Sequence, residues 1–436
     1  MTEQTQTRVT SRSPWTWIPT LYFAEGLPYV VAMTVSVIMY KRFGLSNADI
    51  ALYTSWLYLP WVIKPLWSPF VDIFSRKRTW IIVTQVLIGG ALAAAALAIP
   101  LPPFFQITLA IFWVMAFASA THDIAVDGFY MLALPEHHQS AFVGVRNTFY
   151  RLAMIAGQGG IVVLAGSIEQ WSGGNITLAW SSVFAVLALL FPLFALYHKF
   201  FLPVPESDLP SLDRSSGGIL REFFRTFSLF FRKKDIVTIL AFLLFYRFAE
   251  AQLVKLVPPF LLDVREKGGL GLSTSEVGIA YGTVGIIALT LGGLVGGYVV
   301  SRGGLKRWLW IMVLAIHLPD AVFVYLSQVQ PNHFLVITSA VAIEQFGYGF
   351  GFTAYVLYMM MISAGEHRTA HYAICTGFMA LGMMLPGMFS GFIQEALGYR
   401  GFFLWILLST IPGFVVAALV RIGPEYGRKK MEEGQA

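Results

Sequence analysis

Twelve times in 436 residues the chain runs apolar for about 20 residues, enough for a helix to cross a hydrocarbon core about 30 Å thick at about 1.5 Å per residue. The runs fall near 15–40, 49–71, 79–99, 105–131, 141–166, 177–197, 236–262, 275–300, 308–328, 333–361, 369–393 and 401–420, numbered spans 1 to 12. Inside a bilayer the backbone must satisfy its own hydrogen bonds, so long apolar runs without alternating polarity mean helices rather than a barrel. The expected fold class is therefore all-α integral membrane. Composition agrees: 56% of residues are hydrophobic and 12% charged, against about 25% charged in a soluble domain.

Placing both termini on one side follows from the even number of spans. Twenty Lys and Arg then fall on that side: Arg8, Arg12, Arg76, Lys77, Arg78, seven from Lys199 to Lys234, Arg302, Lys306, Arg307, Arg368, and four from Arg421 to Lys430. Five fall opposite, namely Lys41, Arg42, Arg265, Lys267 and Arg400. The positive-inside rule makes the richer side, and both termini, cytoplasmic. The net charge of +6 thus reports topology rather than nucleic-acid binding. The N-terminal "MTEQTQTRVTSRSP" has no apolar core before a cleavage site, so the first span is expected to be retained. Cys375, the single cysteine, is expected to pack as a small apolar residue.

Residues 198–235 interrupt the pattern with Pro, Ser and charge, ending in "ILREFFRTFSLFFRKK", an amphipathic helix expected on the inner membrane surface. They divide the chain into a six-helix bundle over 1–197, a linker over 198–235, and a second bundle with its tail over 236–436. The halves echo each other. "YFAEGL" around Glu25 returns as "RFAEAQL" around Glu250, 225 residues on, and "DIFSRKR" after span 2 returns at nearly the same offset as "VVSRGGLKR" after span 8. Transporters built from repeats place substrate near the midplane.

A charge at the centre of a spanning helix costs on the order of 2.5–3.5 kcal/mol on insertion scales. Beyond their first turns the spans nevertheless hold six acids, Glu25, Asp123, Asp127, Glu250, Asp320 and Glu344, and five bases, Lys64, Arg146, Arg151, Arg247 and Lys255. Either they pair to fix helix packing or they line a water-filled cavity. Asp123 and Asp127 lie at i and i+4 on one face of span 4, where two carboxylates repel and one is expected to hold a proton near neutral pH, with Arg146 and Arg151 as partners. Arg247 and Glu250, at i and i+3, are expected to pair along one face, leaving Lys255 for an anion. Glu25 has no base on its own helix, only Tyr22 and Tyr29 within reach, and Gly26 and Pro28 loosen the helix beside it. It is the leading proton-coupling candidate, with Asp123, Asp127, Glu250 and Glu344.

Glu344 and Gln345 open "EQFGYGFGFTAY" in span 10, whose Gly347, Gly349 and Gly351 suit close helix approach, with Tyr348 and Tyr355 available to a sugar or peptide. Asp320, after Pro319 near the outer end of span 9, is expected to be wet. "HDIAVD" also fits the H-x-x-x-x-D pattern of acyl transfer, but His122 would sit in a membrane helix. With no phosphate loop, no metal-spaced His/Cys cluster and no soluble catalytic domain in the sequence, neither an enzyme nor an ATP-driven pump is expected. A gradient-driven carrier without a cofactor is.

Twelve spans in two halves and the basic turn "SPFVDIFSRKR" resemble the major facilitator superfamily (the MFS fold), whose loop after span 2 carries G-x-x-x-D-x-x-G-R-R/K. Asp72 matches its aspartate and Arg76, Lys77 and Arg78 its basic end, while Ser68 and Ser75 stand in for glycines. This resemblance implies a gating role for the loop. "FAEGLPYVV", "KPLWSPFVD", "ASATHDIAVDGFYMLALP" and "YRLAMIAGQG" are more specifically similar to the AmpG-like muropeptide permeases, grouped with acetyl-CoA transporters. Asp123 and Asp127 match the acids of the family's span-4 pattern, whereas His122 replaces a glutamine and Phe129 a tryptophan. The resemblance implies proton-driven uptake of cell-wall-derived muropeptides across the bacterial inner membrane by a monomer. A siderophore, CoA thioester or other peptide conjugate is the alternative cargo; a non-transporting receptor or an acyltransferase is the alternative of another class. Candidate substrate contacts are Tyr22, Tyr29, Lys64, His122, Arg146, Arg151, Arg247, Lys255, Gln345 and Tyr348.

Overall fold

The computed structural model describes residues 12–206, 208, 216–365 and 367–428; Arg8, Arg214, Lys429 and Lys430 of the charge count lie outside them. Its elements are helical, and ten segments are long and apolar enough to cross a membrane. Two local departures separate ten from twelve. Span 2 is broken into Asn47–Trp56 and Leu59–Phe74, because Pro60 has no N–H for the carbonyl of Trp56 and the chain turns through Leu57 and Tyr58. Spans 11 and 12 run together in the 52 residues Arg368–Leu419, which as one straight helix would be about 78 Å long, over twice the hydrocarbon thickness. Gly398 breaks that run with φ 66° and ψ 171°, a conformation open to a residue without Cβ.

Helix starts are written locally. Ser46 accepts from the Asp49 amide at 3.0 Å to cap the first half of span 2. Ser273 and Glu276 form a capping box at the start of span 8. Span 7 is not continuous: Ile236–Phe245 ends and Phe248–Leu262 begins around Arg247, whose φ of −109° and ψ of 24° are non-helical. Spans 1, 5 and 8 widen into π-helix at Val31–Val35, Ile155–Ile161 and Gly278–Gly285. The helix of the linker covers Ser216–Phe231 and buries Phe230 in a core with Phe242, Tyr246, Tyr355 and Cys375.

The chain forms two compact units, Met1–Val30, Leu66–Met154 and Trp180–Arg221 in one, Val31–Pro65, Ile155–Ala179 and Glu222–Ala436 in the other. The first has its core around Trp17, Ile124, Phe129 and Tyr130. The second combines parts of spans 1, 2 and 5 with the whole of spans 7 to 12. Polar bonds join these pieces inside it: Lys41 to Asp263 at 2.7 Å, Asn47 to Gln394 at 2.6 Å and to Tyr399 at 2.9 Å, and Thr274 to Glu169 at 2.8 Å, with Arg42 also on Glu169 at 2.9 Å. Many outward side chains are large and apolar, as a hydrocarbon surround requires: Leu97, Leu189 and Val237 are 76%, 71% and 78% exposed.

Span 10 packs through its glycines on two faces. A Cβ on Gly349 would collide with the carbonyl of Leu289 in span 8, and one on Gly347 or Gly351 with span 9 at Ala315 or Met312.

Candidate transport sites

In the first unit, the unbroken helix Phe104–Ala133 carries Asp123 and Asp127 one turn apart, facing Glu25 on Ile18–Val30. Glu25 is buried with Asp123 and Asp127 as its electrostatic neighbours, and its Oε2 has no hydrogen-bond partner. Carboxylates gathered this closely repel one another when all are ionised, and a proton held among them relieves that repulsion. Arg146 pairs with Asp127 at 3.1 Å and lies over the rings of Tyr22 at 4.8 Å and Tyr130 at 5.3 Å. Tyr22 donates its hydroxyl to Asp127 at 3.4 Å. Tyr29 is half-buried, and its electrostatic neighbour Tyr150 also faces Glu25 and Asp123. Arg151 reaches the sulfur of Met154 at 3.8 Å. Three acids, one guanidinium and a tyrosine are thus assembled, and they can exchange a proton while staying partly charge-balanced.

His122 points elsewhere from the same helix. Fully buried, its Nε2 accepts from Gln85 at 3.0 Å; the Gln85 carbonyl accepts from His198 Nδ1 at 3.0 Å, and His198 Nε2 meets Thr20 at 3.1 Å. With the amide assigned this way, His122 accepts at Nε2 and is neutral with its proton on Nδ1, while His198 donates from Nδ1. The acid-bearing face of span 4 and its histidine face therefore meet different neighbours.

In the second unit, the break around Arg247 turns its guanidinium to the Tyr348 hydroxyl, to which it donates, and over the Tyr348 and Phe352 rings at 5.1 and 4.7 Å. Among the described residues no ion pair joins it to Glu250, so the expected pairing along one face is corrected: the two residues do not share a continuous helix. Lys255 is not free either. It donates to Thr54 at 3.0 Å and lies over the Tyr58 ring at 5.1 Å. Gln345 donates to Glu344 at 3.0 Å, and Lys64 is half-buried on the second part of span 2. Asp320, expected to be wet, is 1% exposed, in a turn that folds it inward beside Glu250 and Glu344.

At the turn after span 2 the side chain of Asp72 lies outside those described. Arg76 is the N-cap residue of Lys77–Ala98, Lys77 packs over Gly128, and Arg78 donates to the Lys199 carbonyl. The carboxylate on this helix start is Asp208, which accepts from the amides of Lys77 at 2.8 Å and Arg78 at 3.1 Å. Sequence reading passed over Asp208 because it lies about 130 residues from the helix it caps, and passed over Gln85 and His198 because neither is charged in an ordinary pattern.

The sequence profile described as "Major Facilitator Superfamily" matches residues 20–360. The "Anhydromuropeptide permease" of Escherichia coli (strain K12) is 28% identical over 426 residues, covering 94% of this chain and 80% of that protein. The "Putative transporter AmpG 4" of Rickettsia conorii is 27% identical over 412 residues, covering 91% and 94%. Among solved structures, the nucleoside transporter NupG superposes with a TM-score of 0.68 at 17% identity, over 92% of this chain and 98% of that one. The D-xylose-proton symporter does so with 0.67 at 16%, over 93% and 96%. Such identities speak for the fold alone, whereas the profile spans most of the sequence. Named permeases and transporters on one side and a set of membrane-spanning helices on the other describe a membrane carrier rather than an enzyme, and the chain belongs to the Major Facilitator Superfamily.

Proposed function

We propose that the protein imports cell-wall-derived muropeptides, anhydromuramyl peptides, across the bacterial inner membrane together with protons, working as a single chain by alternating access with both termini cytoplasmic. The observation that carries the proton coupling is the gathering of three acids, Glu25, Asp123 and Asp127, around the single guanidinium of Arg146, which leaves negative charge for a proton to neutralise. Arg146 beside Asp127 is placed to compensate when that proton leaves. The likeness to an anhydromuropeptide permease over 94% of the chain supports the cargo. Carboxylates of such a peptide would meet Lys64 and Arg151, and Arg247 and Lys255 once these exchange Tyr348 and Thr54 for substrate, by charge-assisted hydrogen bonds, with Tyr22, Tyr29 and Tyr348 against the sugar. Rocking of the bundles 1–197 and 236–436 about the linker 198–235 requires contacts such as Lys41 with Asp263 and Thr274 with Glu169 to open and close in each cycle.

Counterflow in proteoliposomes tests the cargo without needing a gradient. Vesicles loaded with unlabelled anhydromuropeptide should take up labelled anhydromuropeptide faster than empty vesicles, and a siderophore or CoA thioester inside should not substitute. Exchange driven by the siderophore or thioester and not by muropeptide would assign the carrier to that cargo.

A further inference from the structure

Glu250, Asp320 and Glu344 come from three separate spans, yet each offers a carboxylate oxygen within 4.8 Å of the other two. They are 1%, 1% and 2% exposed. Both oxygens of Glu250 and both of Asp320 lack a hydrogen-bond partner, and Arg247, the nearest base, has turned its fork to Tyr348. Buried carboxylates are ordinarily paired, hydrogen-bonded or bound to metal.

Three carboxylates this close repel one another unless positive charge lies among them, and no donor reaches either oxygen of Glu250 or of Asp320. Three atoms no more than 4.8 Å apart can all lie within about 2.8 Å of one point, close to the 2.3–2.6 Å of about seven-oxygen Ca²⁺ sites and wider than the about 2.0–2.1 Å that Mg²⁺ demands. Three ionised carboxylates with Arg247 beside Glu250 leave two negative charges, which one divalent ion balances, or a monovalent ion with one proton. Tyr281, on the π-helical turn Gly278–Gly285, has Glu344 and Glu250 as its electrostatic neighbours and can supply a neutral oxygen.

We propose that Glu250, Asp320 and Glu344 form a binding site for a hard, oxygen-ligated metal cation of the size of Ca²⁺ or Na⁺. This goes beyond the proton-coupled import proposed above and does not depend on its cargo.

The test uses purified full-length protein in detergent, stripped with chelator and held in choline chloride without transport substrate. Saturable binding of ⁴⁵Ca²⁺ or ²²Na⁺ at one ion per chain is expected, with a rise in melting temperature for the same ion and none for Mg²⁺ or further choline. Asp320→Asn and Glu344→Gln should each lose the binding. If either fails to fold, Glu250→Asp, which keeps the charge and withdraws it by one methylene, should weaken it. Absence of binding of both ions to the wild type overturns the site, as does binding that survives unchanged in the folded variants.

Discussion

Gly349→Ala isolates what holds spans 8 and 10 together. A Cβ at 349 would lie well inside 3.0 Å of the Leu289 carbonyl oxygen, a separation real Cβ atoms essentially never show, and 2.8 Å from its carbon. The contact is reciprocal: a Cβ on Gly292 would strike the Phe346 carbonyl, 2.9 Å from its carbon and from the Phe350 nitrogen. The obstacles are backbone atoms in two hydrogen-bonded helices, so relief requires the helices to part, and overpacking of this kind costs about 1–3 kcal/mol. Alanine returns up to about 1 kcal/mol of helix propensity. With the full return subtracted the net loss reaches about 2 kcal/mol, about a thirtyfold fall in the folded ratio. Gly297→Ala on span 8 is the control, because nothing lies within 4 Å of the added methyl and propensity alone acts. Heat-inactivation half-lives of the two variants in detergent, read as the monodisperse fraction on gel filtration, should fall on opposite sides of the wild type. Equal half-lives would refute the close-packing account.

Two further perturbations address buried polar contacts in the first unit. Asp208→Ala removes the acceptor for two amides at the start of span 3 and should cost about 0.5–2 kcal/mol, seen as a lower melting temperature that Asp208→Asn, with one acceptor oxygen in place of two, restores only in part. Gln85→Leu strands His122 and His198 at once. At about 1–3 kcal/mol for each buried unpaired group, it should destabilise more than Thr20→Val, which touches one end of the chain.

Particular residues show what was legible beforehand. The i, i+4 spacing of Asp123 and Asp127 predicted a shared face, and an uninterrupted helix delivers it, with Arg146 arriving from the next span. The same logic failed for Arg247 and Glu250, since no Pro or Gly marks the break at Tyr246 and Arg247. Asp320 was misjudged because Pro319 near a span end reads as a wet turn, whereas a 3₁₀ turn carries the side chain inward. The break in span 2 was missed, because the apolar run 49–71 reads as one helix across Pro60, whereas the close approach of span 10 was expected from Gly347, Gly349 and Gly351. Partners such as Asp208 for Lys77, Thr54 for Lys255 and Gln85 for His122 are set by the meeting of distant helices, which periodicity along one helix does not encode.

The central claim is that Glu25 and Asp123 handle the coupling proton. Accumulation of radiolabelled anhydromuropeptide in proteoliposomes, with and without an inward proton gradient, tests it most directly when wild type and Glu25→Gln are compared at equal incorporation. The account predicts gradient-driven accumulation by the wild type, abolished by a protonophore, and a Glu25→Gln variant that still exchanges cargo in counterflow but no longer concentrates it. Accumulation by Glu25→Gln at the wild-type level, or wild-type accumulation indifferent to the gradient, would contradict it.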